Sequence, residues 1–86
     1  MSRFEKLLLK ILDGKSDNNL SLNDLKTFLL KLGFEERAGA GSHTLYKKHG
    51  LVEMINLQST KDGKAKPYQV KQVREIILKY KLGKNE

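Results

Sequence analysis

An α+β fold in the order α-α-β-β-β-α is predicted by three features of this 86-residue chain. Apolar residues recur at helical spacing in three separate stretches. Between residues 34 and 57 that periodicity stops, and β-branched and aromatic residues stand between glycine breaks. The length allows one domain with a small core and excludes large cofactor-binding folds such as a doubly wound dinucleotide sheet. Three short antiparallel strands flanked by helices fit a three-stranded sheet with its helices packed on one face. The other face would then be open to a partner.

The first helix is expected over 4–13. Phe4, Leu7, Leu8, Ile11 and Leu12 fall on one stripe, and Gly14 ends it. Residues 15–19 are polar and turn-like. A second helix begins at Ser21, a good N-cap, with Asp24 acidic in its first turn and Leu20 and Leu25 at the two staple positions. Its stripe is Leu22, Leu25, Phe28, Leu29 and Leu32, and Gly33 is placed to close it in the left-handed conformation. Strands are expected at 34–38, 43–48 and 51–57, with breaks at Gly39–Gly41 and at His49-Gly50, the latter short enough for a hairpin. Both alternation registers of these strands contain apolar residues, so the pattern leaves their buried face open. Residues 59–66 read as a lysine- and glycine-containing loop. Pro67 suits the first turn of a last helix, whose stripe is Val70, Val73, Ile76, Ile77 and Tyr80 and whose end is Gly83. The whole chain, 1–86, reads as a single domain: an α-β-β-β-α unit over 21–82, with residues 1–20 as a helical extension.

Charge and composition narrow the function. Seventeen Lys and Arg against ten Asp and Glu give a net charge of +7. The excess is uneven: residues 1–32 carry six basic and four acidic groups, 33–60 carry three of each, and 61–86 carry eight and three. A basic C-terminal third fits a polyanionic partner, most often nucleic acid; a solvated lysine surface is the plainer alternative. With no cysteine, disulfide frameworks, zinc-thiolate sites and thiol nucleophiles are excluded, and two histidines are too few for a histidine-rich metal cluster. No metal or organic cofactor is expected. The longest apolar runs fall far short of the roughly 20 residues that span a bilayer, and no export signal is evident, so the chain reads as cytoplasmic.

One segment concentrates chemistry: GFEERAGAGSHTLY, residues 33–46. Gly39 and Gly41 permit positive φ and close approach of a ligand to the backbone, and successive N–H groups in such a turn can form an anion-binding concavity. Ser42 adds a hydroxyl. Arg37, the single arginine of the strand region, can pair bidentately with phosphate. His43 follows, with a side chain that titrates near neutrality. Together they make a suitable kit for RNA phosphodiester chemistry. Ordinary hairpin geometry with a half-exposed histidine is the alternative. Lys47, Lys48, Lys61, Lys64 and Lys66 are candidate phosphate contacts. Tyr46 and Tyr68 are candidates for stacking on a base or for core and rim packing. His49, in a predicted turn, reads as a solvated residue, poorly placed for catalysis beside His43.

The same fourteen residues resemble the signature of the HicA family of bacterial toxins: a helix ending in Gly-Phe, an Arg-bearing strand, a Gly-Ser-His or Gly-Gly-His turn, then a strand often carrying Tyr. The resemblance covers residues 21–82 and is most specific over 33–46. It implies a fold similar to double-stranded-RNA-binding domains, here with an added N-terminal helix. It also implies a ribosome-independent mRNA interferase activity and neutralisation by a HicB-like antitoxin. The family's essential motif histidine carries over to His43, and the turn before it to Gly41 and Ser42. Two departures stand out. Many members continue after the third strand with Val-Pro-x-His, where this chain has Ile55-Asn56-Leu57-Gln58, so Gln58 takes the place of a second histidine; Gln hydrogen-bonds but does not shuttle protons. The last helix lacks the family's usual Gly-Thr start.

The reading that results is an endoribonuclease working without a metal, with His43 as general base and with Arg37, Gly41, Ser42, Lys47, Lys48, Lys64 and Lys66 on the RNA. The alternatives are a module that binds RNA without cutting it and a protein-interaction domain on the same fold.

Overall fold

The computed structural model describes residues 2–39, 41, 43–58 and 60–83. Its elements run α1 (Arg3–Asp13), a 3₁₀ turn (Asp17–Asn19), α2 (Leu22–Lys31), β1 (Glu35–Ala38), β2 (His43–Lys47), β3 (Met54–Gln58) and α3 (Pro67–Tyr80). The order is α-α-β-β-β-α, as predicted. The strands form one antiparallel sheet in the order β1-β2-β3, so β2 is central and both neighbours are edges.

Each helix has chemical reasons for its ends. Ser2 caps α1 through a reciprocal capping box with Glu5, and Gly14 closes it in the left-handed conformation. The Ser21 hydroxyl accepts from the Asp24 N–H at 3.3 Å to start α2. Its end is a Schellman motif: the Phe34 N–H donates to the Leu29 carbonyl and the Gly33 N–H to that of Leu30, with Gly33 at φ 101°. Pro67 opens α3, where its missing N–H leaves no helical bond unmade.

The core gathers Leu7 and Ile11 of α1, Leu25, Phe28 and Leu29 of α2, Tyr46, Ile55 and Leu57 of the sheet, and Val70, Val73 and Ile77 of α3, all in one cluster. Phe4 stacks on Phe28, with ring centroids 4.9 Å apart. α1 therefore contributes to the same core as the rest of the chain. Arg74 ties it down further. Its guanidinium donates to both carboxylate oxygens of Asp17, at 3.0 and 3.1 Å, and to the Ile11 carbonyl at the end of α1. Those bonds to Asp17 raise the Arg74 pKa.

Three local expectations are corrected. The third strand starts at Met54 rather than at residue 51. Residues 48–51 form a turn closed by the Leu51 N–H on the Lys48 carbonyl, with Gly50 at φ 90°; Leu51 packs on the core from that turn while Val52 is 90% exposed. The connection from β2 to β3 is thus six residues, 48–53, not a tight hairpin at His49-Gly50. The last helix ends at Tyr80, with Lys81 taking the left-handed position at φ 54°, before Gly83. No helix among the described residues is long and apolar enough to cross a membrane.

Candidate functional site

Strand alternation and register divide the sheet into two faces. Tyr46, Ile55 and Leu57 are fully buried under the helices. The intervening residues form the open face as rows across the strands: Glu35–Lys47–Met54, then Arg37–Leu45–Asn56, then His43–Gln58.

His43 is the first residue of β2, half-exposed on that face. Its Nδ1 lies 2.9 Å from Asn56 Oδ1. A carbonyl oxygen only accepts, so Nδ1 carries a proton, and in the neutral ring the lone pair then lies on Nε2. Among the described residues Nε2 has no hydrogen-bond partner. The imidazole is thereby oriented by a neutral amide, with the basic nitrogen available.

Asn56 is itself fixed from behind. Its backbone carbonyl accepts from Gln69 Nε2 at 3.4 Å, and Gln69, fully buried in the first turn of α3, also accepts from the Lys66 N–H at 3.0 Å. Lys66 in turn donates from Nζ to Gln58 Oε1 at 3.0 Å, and Gln58 stands directly opposite His43. The same ammonium lies 5.9 Å from the centroid of the Tyr68 ring, which is 61% exposed. One corner of the open face therefore holds a lone-pair nitrogen, a tethered cation and an exposed aromatic ring.

The glycine turn is used differently from the expectation. Gly39 is needed for close approach rather than for positive φ: a Cβ there would meet the His43 carbonyl oxygen at 3.1 Å and the His43 Cβ at 3.3 Å. Its N–H donates to the His43 carbonyl and so is engaged in the hairpin, not in an anion cradle. Gly41 takes the left-handed conformation at φ 61° in open space. Ser42, with Ala40, lies outside the described residues.

The expected basic partners are not all together. Arg37 is exposed on the open face but turns toward Glu35, 3.5 Å away, and lines a groove with Lys47, His49 and Met54 at the far end from His43. Lys48 points to the helix side, where Nζ donates to the Leu32 carbonyl at 2.9 Å and covers the end of α2. Lys64 is exposed on a loop held by backbone pairing to Ser21 and by Asp62, whose carboxyl accepts from the Lys64 N–H and is pushed below its ordinary pKa by that bond and by Thr60. Only Lys66 of the predicted cations is linked to the row of His43. Tyr46 belongs to the core; burial first, then its 2.9 Å bond to Glu36, raises its pKa and keeps the phenol protonated. Asn56 and Gln69 are the site residues that the sequence reading missed. The polar residues at every second position of β3, Asn56 and Gln58, are the signal that could have marked the former. Searches of protein-family models, curated proteins and solved structures find no match to this chain.

Proposed function

We propose that this protein is an endoribonuclease of the mRNA-interferase type, acting in the cytoplasm with His43 as its general base. The observation that carries this reading is the 2.9 Å contact from His43 Nδ1 to Asn56, which in the neutral ring turns the lone pair of Nε2 to an open, cation-bearing sheet face. The resemblance of residues 33–46 to HicA toxins supports the same reading. It supplies the expected partners, an mRNA and a HicB-like antitoxin.

In the reaction, Nε2 takes the proton of a ribose 2′-hydroxyl. The 2′-oxygen forms a bond to the adjacent phosphorus while the bond from phosphorus to the 5′-oxygen breaks. A proton delivered from water or from Lys66 completes the leaving 5′-hydroxyl, and the other product is a 2′,3′-cyclic phosphate. Lys66, tethered through Gln58, offsets the charge that develops on the phosphoryl oxygens. Its bond to Gln58, opposite His43, gives it the role first expected of Arg37. Tyr68 beside it offers a stacking surface for a flanking base. General acid–base catalysis of this kind contributes about 10²–10⁴-fold, so the enzyme is slow, and slow cutting suffices where few events silence a transcript.

A module that binds RNA without cutting is favoured by one observation: Gln58 stands where the resembled family often has its second histidine, and its oxygen is engaged by Lys66. The experiment that separates the two incubates the protein and its His43→Ala variant with a long single-stranded RNA in EDTA. Cleavage by the wild type alone is the expected result. Salt-dependent binding by both proteins with cleavage by neither would establish the binding module instead.

A further inference from the structure

We propose that the groove at the other end of the open face is a nucleobase subsite for single-stranded RNA, selective for bases that carry an exocyclic amino group. This rests on the reading of the protein as RNA-directed. The groove has a volume of about 310 Å³ and is lined by Glu35, Arg37, Lys47, His49 and Met54. That is the lower end of the range for small-molecule sites and fits one base and its sugar.

Its construction follows from the sheet. Glu35, Lys47 and Met54 stand side by side as one row across the three strands. The 48–51 turn, with Gly50 left-handed, brings His49 to the row's end. Arg37, one position along β1 on the same face, closes the side through its loose 3.5 Å pair with Glu35. An ion pair this exposed adds little to stability, so its geometry is available for recognition. Met54, 45% exposed, is the apolar side chain among the charged and polar ones that line the groove.

Each group has a use for a nucleotide. The thioether of Met54 and the imidazole of His49 offer surfaces against which a flat ring packs. Lys47 and Arg37 pair with the flanking phosphates. Glu35 only accepts: cytosine, adenine and guanine offer it an exocyclic amino group, whereas uracil offers only an N3–H flanked by two carbonyl oxygens that repel a carboxylate. From Lys47 to His43 along β2 is about 13 Å, which an extended strand crosses within a few nucleotides. The base read in the groove therefore lies a short, fixed distance from the phosphate held at His43.

The test measures binding of oligo-C and oligo-U to the non-cleaving His43→Ala protein by fluorescence anisotropy at fixed salt, with Glu35→Gln, His49→Ala and Met54→Ala added in turn. Oligo-C is expected to bind about tenfold more tightly than oligo-U, equivalent to about 1.4 kcal/mol. Glu35→Gln should bring that ratio close to one, and His49→Ala and Met54→Ala should weaken oligo-C several-fold. Equal binding of the two RNAs, or a preference that survives Glu35→Gln, overturns the subsite while leaving RNA binding intact. Failure of every protein to bind either RNA overturns the RNA reading itself.

Discussion

The two faces of one small sheet have been put to opposite uses. On the covered face Tyr46, Ile55 and Leu57 lose all contact with solvent, and the one polar atom among them, the Tyr46 hydroxyl, is satisfied by Glu36. On the open face the alternate residues of the same strands, Arg37, His43, Lys47 and Asn56, remain wholly or partly exposed and make few contacts. Burial of apolar side chains dominates folding free energy, whereas exposed polar residues away from such packing move stability by only about 0.5 kcal/mol either way. Because side chains alternate, the residues that set stability and those of the proposed activity are neighbours yet separable by mutation. A one-residue slip in register would exchange the two faces.

Phe28→Ala probes the covered side most severely. Phe28 is fully buried and stacked on Phe4, so urea denaturation should show a loss of about 3–5 kcal/mol, a large fraction of the stability of so small a domain. A loss below 1 kcal/mol would break the comparison from the stability side.

Asn56→Ala sharpens it from the other side. In the proposed mechanism Asn56 is a positioning residue that acts only through His43. Its removal should slow RNA cleavage about tenfold, equivalent to about 1.4 kcal/mol of barrier, with the urea midpoint almost unchanged. Asn56→Asp should restore much of the rate and move its pH profile upward, because a carboxylate beside His43 favours the imidazolium. An unchanged profile would show that Asn56 does not govern the histidine's protonation.

The smallest effect concerns a tether between the β2–β3 connection and α3. Glu53 accepts from Lys79 at 2.7 Å and from the Tyr80 hydroxyl at 2.6 Å, and these bonds lower its pKa from 4.5 to about 2. The folded state therefore binds this proton less readily than the unfolded chain. The stabilisation is fully present above pH 4.5 and is lost as pH falls through about 2. Glu53→Gln should flatten that part of the stability–pH curve. An identical acid slope in both proteins would show that the tether is absent in solution.

The order of the elements was legible in the residues, but not which face of each strand is buried. Ser21 and Gly33 marked the two ends of α2 by chemistry that acts within a few positions, and both do what their side chains dictate. His43 was visible because a glycine-containing turn precedes it. What escaped depended on contacts between distant positions. Asn56 meets His43 across thirteen residues of sequence, and only the β2–β3 register brings them together. Gln69 looked like one more polar residue on α3, although it is buried and bonded to two segments. Arg37 was expected on the RNA beside His43, but its side chain turns toward Glu35. Leu51 and Val52 drew the start of β3 forward because apolar, β-branched residues favour strands; the turn uses one to pack on the core and leaves the other in solvent.

The most direct test of the central claim is the chemistry of the ends that cleavage leaves. Fragments of a long RNA treated with the protein in EDTA should carry 5′-hydroxyl groups and 2′,3′-cyclic or hydrolysed 3′-phosphates, and none should form with His43→Ala. Fragments bearing 5′-phosphates and 3′-hydroxyls, or the same fragments from a folded His43→Ala protein, would contradict the assignment of His43 Nε2 as the base that activates the ribose hydroxyl.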